Sequence, residues 1–339
     1  MSAAGDVLGV VGAGAWGTTL AVRLAEAGHP VLLWAHTDAA RRRLATDREN
    51  VRYLRGVGFP PSLAVAADDV DLQRVERLHL LAVPSAHLRS TLQRLAPGLG
   101  ARVPLLSLVK GIEEGTHLRM SEVIGEELPG RPVAVLSGPN IAREIAAGKP
   151  AGSVVASPDA SLANACAELL SSDRFRVYTN PDVVGVELAG ALKNIVAIAA
   201  GMSDGLGFGD SAKAGIITRG LAEVTRLGVA AGAHPLTFAG LAGVGDLFAT
   251  CISPLTRNRL AGELLARGEP WVAVEPQLPG VAEGVATLPG ALALAAQYGV
   301  ELPIAEQVNQ VVHHGRSPLA AVAELMAREP KDELADVGV

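Results

Sequence analysis

The sequence predicts an α/β protein in two parts: a parallel-sheet domain, then an all-helical one. Three observations predict it. The first half alternates short aliphatic runs with helical patterns. From Asn180 onward the apolar segments lengthen, become Ala-rich and are parted by short polar or Gly-rich breaks. The chain has 339 residues, more than one compact core usually organises. The boundary is expected near Thr179-Asn180-Pro181, where an Asn-Pro turn signal ends the last strand. That gives domains of residues 1–180 and 181–339.

Each element has its own signature. LGVVGAG reads as a strand entering a turn, and TTLAVRLAEAG as a helix stopped by Gly28. VLLWAH is the second strand. LHLLAVP, VPLLSLVKG, VAVLSGPN, AGSVVAS and FRVYT follow, with helical segments such as SAHLRSTLQRLAP among them. Strand, helix, strand in this rhythm predicts a parallel sheet with helices on both faces. In the second half, helices are expected over Asp182–Met202, Ser211–Leu227, Thr256–Arg267, Leu288–Tyr298 and Ile304–His313. The closing stretch REPKDELADVGV is polar and is expected to fray.

Composition narrows the function. Apolar residues make up 49% and charged residues 19%, the profile of a folded soluble protein. Aromatics are only 3%, so packing must rest on aliphatic and small side chains. A net charge of −6 gives no basic footprint for nucleic acid. Cys166 and Cys251 match no zinc or redox spacing, which suits a reducing compartment. Asp6 stands where a signal peptide would carry positive charge. Glu187 and Lys193 break the best membrane-span candidate, so no stable membrane insertion is expected. A cytoplasmic protein is the simplest reading. No metal site is expected, since the adjacent His313 and His314 would point to different sides of a helix.

Gly12-Ala13-Gly14-Ala15-Trp16-Gly17 matches G-x-G-x-x-G between a strand and a helix. Gly12 permits the tight turn, Gly14 lets the backbone approach a pyrophosphate, and Gly17 lets helix and strand pack closely. The helix start then offers amide donors to the phosphates. The fold class is therefore α/β with an N-terminal Rossmann-type parallel-sheet domain and an all-helical C-terminal domain. At the end of the second strand, the Asp or Glu that binds a ribose 2′-OH is replaced by Trp34-Ala35-His36-Thr37. Asp38 comes late, and Arg41, Arg42 and Arg43 follow, which favours NADP over NAD with NAD left open.

Lys110, Ser137-Gly138-Pro139 and Asn140 lie at carboxyl ends of strands, where open α/β sheets bind ligands. Taken alone, Lys110 reads as a solvated loop lysine and Asn140 as a cap for IAREIAAG. Lys193 lies in an apolar helix among Ala189, Gly190, Val196 and Ala197. It is either snorkelling or a partly desolvated lysine with a lowered pKa. LAGVGDL is a Gly-rich turn presenting Asp246, and Thr256-Arg257-Asn258 at a helix start suits a phosphate.

GAGAWGT, LVKGIE, SGPN, ALKNIVAIAAGMSDGLGFGDSAKAGIITRGLAE, AGVGDLFATC, TRNR and VAEG together resemble NAD(P)-dependent glycerol-3-phosphate dehydrogenase, from about Val7 to about Lys331. The resemblance implies reversible hydride exchange between NAD(P)H and dihydroxyacetone phosphate, giving sn-glycerol 3-phosphate for glycerophospholipid synthesis. It implies that Lys193 transfers the proton, with Lys110 and Asp246 as its catalytic partners. Substrate contacts would come from Lys110, Gly138, Asn140, Lys193, Asn194, Asp246, Thr250, Thr256, Arg257 and Asn258. Cofactor contacts would come from Gly12, Gly14, Ala15, Trp16, Gly17, His36, Lys110, Ala142, Arg257, Val281 and Glu283. A homodimer is compatible with this reading. Ala15, Asn140, Thr256 and His36 depart from the commonest family residues. A β-hydroxyacid dehydrogenase shares the architecture, but Arg257-Asn258 and the Lys193 block argue against it. A non-catalytic NADP(H) sensor is disfavoured by the intact Lys193, Asp246 and Lys110 set.

Overall fold

A computed structural model describes residues 7–329, 332 and 333. Asp6 and most of the polar C-terminal stretch lie outside these residues. The chain forms two compact units. One holds the chain up to Val109, Met120–Leu136 and Asn140–Pro181. The other holds Lys110–Arg119, Ser137–Pro139 and the chain from Asp182 on. Two short segments thus leave the first half of the sequence for the second unit. A single cut near residue 180 does not describe that division.

The first unit is built on one sheet, with strands β1 (Leu8–Val11), β2 (Val31–Trp34), β3 (Leu63–Val65), β4 (Leu78–Leu81), β5 (Leu105–Ser107), β6 (Val133–Ser137), β7 (Ala151–Ala156) and β8 (Phe175–Asn180). The order is β3-β2-β1-β4-β5-β6-β7-β8. β1 pairs in parallel with both β2 and β4, in the register Leu8↔Val31 and Leu8↔Leu78. The order reverses at β1, so the switch point where such sheets bind ligands falls at the carboxyl end of this strand. β3 has three residues, too few to produce the alternation that reveals a strand in sequence.

The helices of this unit are α1 (Ala15–Glu26), α2 (Asp38–Asp47), α3 (Leu88–Leu95), α4 (Met120–Glu127), α5 (Ala142–Ala146) and α6 (Ala160–Leu170). Leu20 and Leu24 of α1 and Cys166 and Leu170 of α6 share a core with Leu8, Val10, Leu33, Leu80 and Leu106 of the strands. Strand residues of the opposite parity, Val11, Leu32, Trp34 and Leu81, are buried as well. Both faces are therefore covered, which is why the strands read as unbroken aliphatic runs.

The second unit is helical: α7 (Val183–Gly205), α8 (Gly209–Ala230), α9 (Pro235–Phe238), α10 (Asp246–Ile252), α11 (Arg257–Ala266), α12 (Trp271–Val274), α13 (Glu283–Tyr298), α14 (Pro303–His314) and α15 (Pro318–Met326). Asp182 caps α7 by accepting from the Gly185 amide at 2.8 Å. Glycines set the contacts of α7. A Cβ on Gly262 of α11 would stand 2.0 Å from the Ile198 carbonyl oxygen, and one on Gly284 of α13 would stand 2.6 Å from that of Asn194. Small residues thus bring three backbones together, as the shortage of aromatics required.

α7 is long and apolar enough to cross a membrane in spite of Glu187 and Lys193, contrary to the sequence expectation. Its apolar surface is used inside the protein, where 83% of its most apolar 18-residue stretch is buried. A second segment, Pro235–Ile252, passes the same test, but Gly243 interrupts it with non-helical backbone.

Candidate active site

In the first unit, the Gly-rich loop does what the motif requires. Gly12 adopts φ +116°, and a Cβ there would stand 2.5 Å from the Ala82 carbonyl oxygen. A Cβ on Gly17 would stand 2.1 Å from the Gly12 carbonyl oxygen. Gly14 differs, since a Cβ there would meet nothing within 4 Å. The space over Gly14 is open, and no side chain caps the start of α1. An uncapped helix start beneath an open glycine fits a dinucleotide pyrophosphate. Asn50, which carries no motif, pins this loop by donating to the Ala13 carbonyl at 2.9 Å and to Thr18 Oγ1 at 2.8 Å. Thr19 donates to the Ala15 carbonyl at 2.9 Å and to that of Ala142 at 3.3 Å, which brings Ala142 to the first turn of α1. The Trp16 ring meets Phe175 edge-on.

At the end of β2 the three arginines differ, and Arg41 is not the free cation the sequence suggested. Arg41 is buried, and its guanidinium binds Asp38, Asp69 and the carbonyls of Ala35 and Ala67. It is a framework residue with no free face for a 2′-phosphate. His36, Arg42 and Arg43 are exposed. Arg94, which the sequence did not single out, donates to the His36 carbonyl at 3.0 Å and stacks over Trp34. Asp69 gathers Arg94, Arg41 and the Trp34 indole N–H. Burial raises its pKa, but these bonds and charges outweigh burial and hold it below the usual carboxylate value.

Asn140 does not cap α5. It donates to Ser153 Oγ at 3.2 Å, while its Oδ1 is buried with no hydrogen-bond partner among the described residues.

In the second unit, Asp246 is 1% exposed and sits between two ammonium groups. Lys193 Nζ donates to its Oδ1 at 2.6 Å, and Lys110 Nζ donates to its Oδ2 at 2.6 Å. Lys193 also donates to Thr250 Oγ1 at 2.6 Å, and Lys110 to the Gly138 carbonyl at 3.1 Å. The turn Leu241–Gly245 makes this possible by delivering Asp246 and Thr250 on the first turns of α10. A Cβ on Gly243 would stand 2.0 Å from the Phe238 carbonyl oxygen, so only glycine fits there. Burial is the main cause that brings Lys193 down to about 8; Asp246 opposes the shift and Lys110 adds to it. Cys251, behind this group, is pushed up to about 12 by burial.

Asn194, the residue after Lys193, and Asn258 are both buried. The Gly284 amide donates to Asn258 Oδ1 at 3.0 Å, and Asn258 Nδ2 donates to Asn194 Oδ1 at 2.8 Å. Thr256 donates to the carbonyls of Thr250 and Ser253, so its hydroxyl proton closes the turn before α11. Arg257 is exposed at the start of α11, and no hydrogen bond or ion pair holds its guanidinium among the described residues. A Cβ on Gly280 would stand 3.1 Å from Arg257 Nη1, which explains a bare backbone there. Val281, 43% exposed, and Glu283 follow this glycine.

Within this unit the fold gathers Lys110, Gly138, Lys193, Asp246 and Thr250 into one cluster, and Asn194 and Asn258 into the next. Gly12, Gly14, Ala15, Trp16, Gly17 and Ala142 gather in the first unit, with His36 at a separate strand end. Among the described residues no group of three or more His, Cys, Asp or Glu could hold a metal ion.

Two family descriptions match the chain one after the other. The description NAD-dependent glycerol-3-phosphate dehydrogenase N-terminus matches residues 7–163, and its C-terminus counterpart matches residues 182–323. A glycerol-3-phosphate dehydrogenase (NAD(P)+) of Desulfitobacterium hafniense is 47% identical over 98% of this chain and 94% of its own length. One from Streptomyces coelicolor is 47% identical over 96% and 97%. The crystal structure of the glycerol-3-phosphate dehydrogenase of Coxiella burnetii superposes with a TM-score of 0.92 at 37% identity, covering 95% of this chain and 99% of that one. The chain therefore belongs to the NAD(P)-dependent glycerol-3-phosphate dehydrogenase family.

Proposed function

We propose that the protein catalyses the reversible reduction of dihydroxyacetone phosphate to sn-glycerol 3-phosphate with NADH or NADPH. The observation that carries this is a buried lysine of depressed pKa, bonded to a carboxylate that a second lysine also binds. Bound at the Gly12–Gly17 loop, the nicotinamide cofactor supplies or accepts the hydride.

The chain's own residues do the rest. As charge grows on the substrate oxygen, the Lys193 ammonium donates its proton there. Asp246 and Thr250 fix the direction of Nζ. Lys110 adds positive charge and keeps Asp246 from holding Lys193 too tightly. In the oxidative direction neutral Lys193 accepts the alcohol proton. Asn258 fixes Asn194, which leaves the Asn194 Nδ2 as a donor for a substrate oxygen. Arg257 and the uncapped amides of α11 take the phosphate. The phosphate is remote from the reacting carbon, so its binding energy serves orientation.

The test is an assay of the purified protein with dihydroxyacetone phosphate, comparing NADH with NADPH. Turnover with either cofactor is expected. Turnover confined to 3-hydroxy acids would replace this reading with a β-hydroxyacid dehydrogenase. The reading includes a cytoplasmic enzyme and admits a homodimer, which fractionation and light scattering check.

A further inference from the structure

Buried Glu187 and half-buried Arg119 form an ion pair that has no step in the proposed reaction. Arg119 Nη1 lies 2.6 Å from Glu187 Oε2, and the side chains are 17% and 4% exposed. A buried pair of this kind rarely adds stability over apolar residues of the same volume. Its place in the fold gives it another use. Arg119 closes the segment Lys110–Arg119, which folds back on itself through an antiparallel bridge between Ile112 and Arg119. The Glu113 amide also donates to the Leu118 carbonyl at 2.9 Å. Ile112 is buried against α13, where a Cβ on Gly290 would stand 2.8 Å from its Cγ2.

Lys110 stands at the other end of this segment. Glu187, Gly190 and Lys193 follow at intervals of three residues along α7, so they climb one side of the helix. A Cβ on Gly190 would lie 3.6 Å from Lys110 Cδ. The segment therefore runs alongside α7, with Arg119 fixed at Glu187, Lys110 passing Gly190, and the Lys110 ammonium on the carboxylate that holds Lys193.

We infer that Arg119 and Glu187 are positioning residues: their ion pair anchors the Lys110–Arg119 segment to α7 and so sets the reach of Lys110 to Asp246. This inference rests on the role proposed above for Lys110.

The sign of a pH shift separates positioning from other effects. The charged and titratable groups acting on Lys193 are Asp246 and Cys251 of α10 and Lys110 of the segment. If Lys110 withdraws, Lys193 loses a neighbouring positive charge, keeps Asp246 to itself, and its pKa rises. Loss of the Glu187 charge acting through space would lower that pKa instead.

The experiment compares kcat, KM and the alkaline limb of the pH profile for dihydroxyacetone phosphate reduction in four variants: Lys110→Met, Glu187→Met, Glu187→Gln and the pair Glu187→Met with Arg119→Met. The limb of Lys110→Met should move to higher pH. Glu187→Met should move it the same way and lower kcat at least tenfold, with KM for the cofactor unchanged. Glu187→Gln, which can still accept from Arg119, should recover part of both. The double variant removes both charges of the pair together, so its melting temperature should recover while its limb stays displaced. A Glu187→Met enzyme with wild-type kcat and limb overturns the inference, as does a limb that moves to lower pH. A double variant that regains wild-type kcat and limb together with stability overturns it too, since the pair would then be structural only. A Lys110→Met enzyme with unchanged rate and limb overturns the role of Lys110 itself, and the anchor with it.

Discussion

At the scale of single residues, the proposed chemistry depends on where one proton sits. Lys193→Met keeps the side-chain volume and removes the acid, so turnover should fall at least ~100-fold while NADPH binding, followed by fluorescence, persists. With the Lys193 pKa near 8, ketone reduction should decline above about pH 8 and alcohol oxidation should rise through the same range. Stability follows a related rule. Below about pH 8 both the folded and the unfolded chain hold the proton, and folding bears the cost of burying it. Between about 8 and the ordinary 10.5 only the unfolded chain holds it, so folding stability from this group rises with pH. Urea titrations of the wild type and Lys193→Met at pH 7 and pH 10 check the sign: the advantage of the methionine should shrink at the higher pH. Arg257 allows a second test. Arg257→Ala should cost something like 2–5 kcal/mol in kcat/KM for the phosphorylated ketone, provided bound substrate shields the exposed guanidinium from water. Arg257→Lys should regain only part of it, because lysine lacks the planar fork. Poor activity on unphosphorylated dihydroxyacetone should hardly change. Equal losses on both substrates, with weaker cofactor binding, would make Arg257 a cofactor or structural residue.

At the scale of elements, the turn from β1 to α1 separates glycines the fold requires from one proposed to bind the cofactor. Gly17 has the Gly12 carbonyl where a Cβ would go, whereas Gly14 has open space. Gly17→Ala should therefore lower the melting temperature, by about 1–3 kcal/mol of overpacking. Gly14→Val should melt as the wild type does and yet fail to bind NADH or NADPH in calorimetry. A destabilised Gly14→Val would show that the loop is closed by protein rather than open to a ligand. The end of β2 is the second case. His36→Asp offers a carboxylate to a ribose 2′-OH and repels a 2′-phosphate, so the ratio of kcat/KM for NADPH over NADH should fall. Arg42→Ala and Arg43→Ala are the partners to combine with it. Arg41→Ala should instead destabilise by roughly 2 kcal/mol, since it strips charge-assisted bonds from Asp69 and two carbonyls.

At the scale of the whole molecule, the division into units is not the division of the sequence. Lys110–Arg119 and Ser137–Pro139 belong with the helices that follow Asp182. A fragment of residues 181–339 would lose Lys110, leaving Asp246 with one ammonium instead of two. It would also lose Arg119, whose guanidinium binds the buried Glu187 carboxylate. Such a fragment should melt at a lower temperature and less cooperatively than the intact chain by circular dichroism. A fragment as stable as the whole would mean that the borrowed segments add nothing to the helical unit.

The sequence alone determined the alternation of strands and helices apart from β3, the G-x-G-x-x-G turn and the helix that carries Lys193. All of these rest on local rules: strand and helix periods, turn residues and caps. It also presented Lys110, Lys193, Asp246, Arg257 and Asn258 as chemistry-bearing residues, through motifs whose neighbours lie close along the chain. Only the tertiary structure decided how they combine. Lys110 and Asp246 meet across 136 residues, and Asn194 and Asn258 across 64. Asn50 pins the Gly-rich loop from 37 residues away, and no local pattern marks an asparagine for that task. Arg41 looked like a free cation because sequence records charge and not burial; the fold closed Asp69 and two carbonyls around it. Periodicity reports what a residue does to its own helix or strand. Ion pairs and polar bonds between distant segments exist only once packing has excluded water and fixed the partners in place.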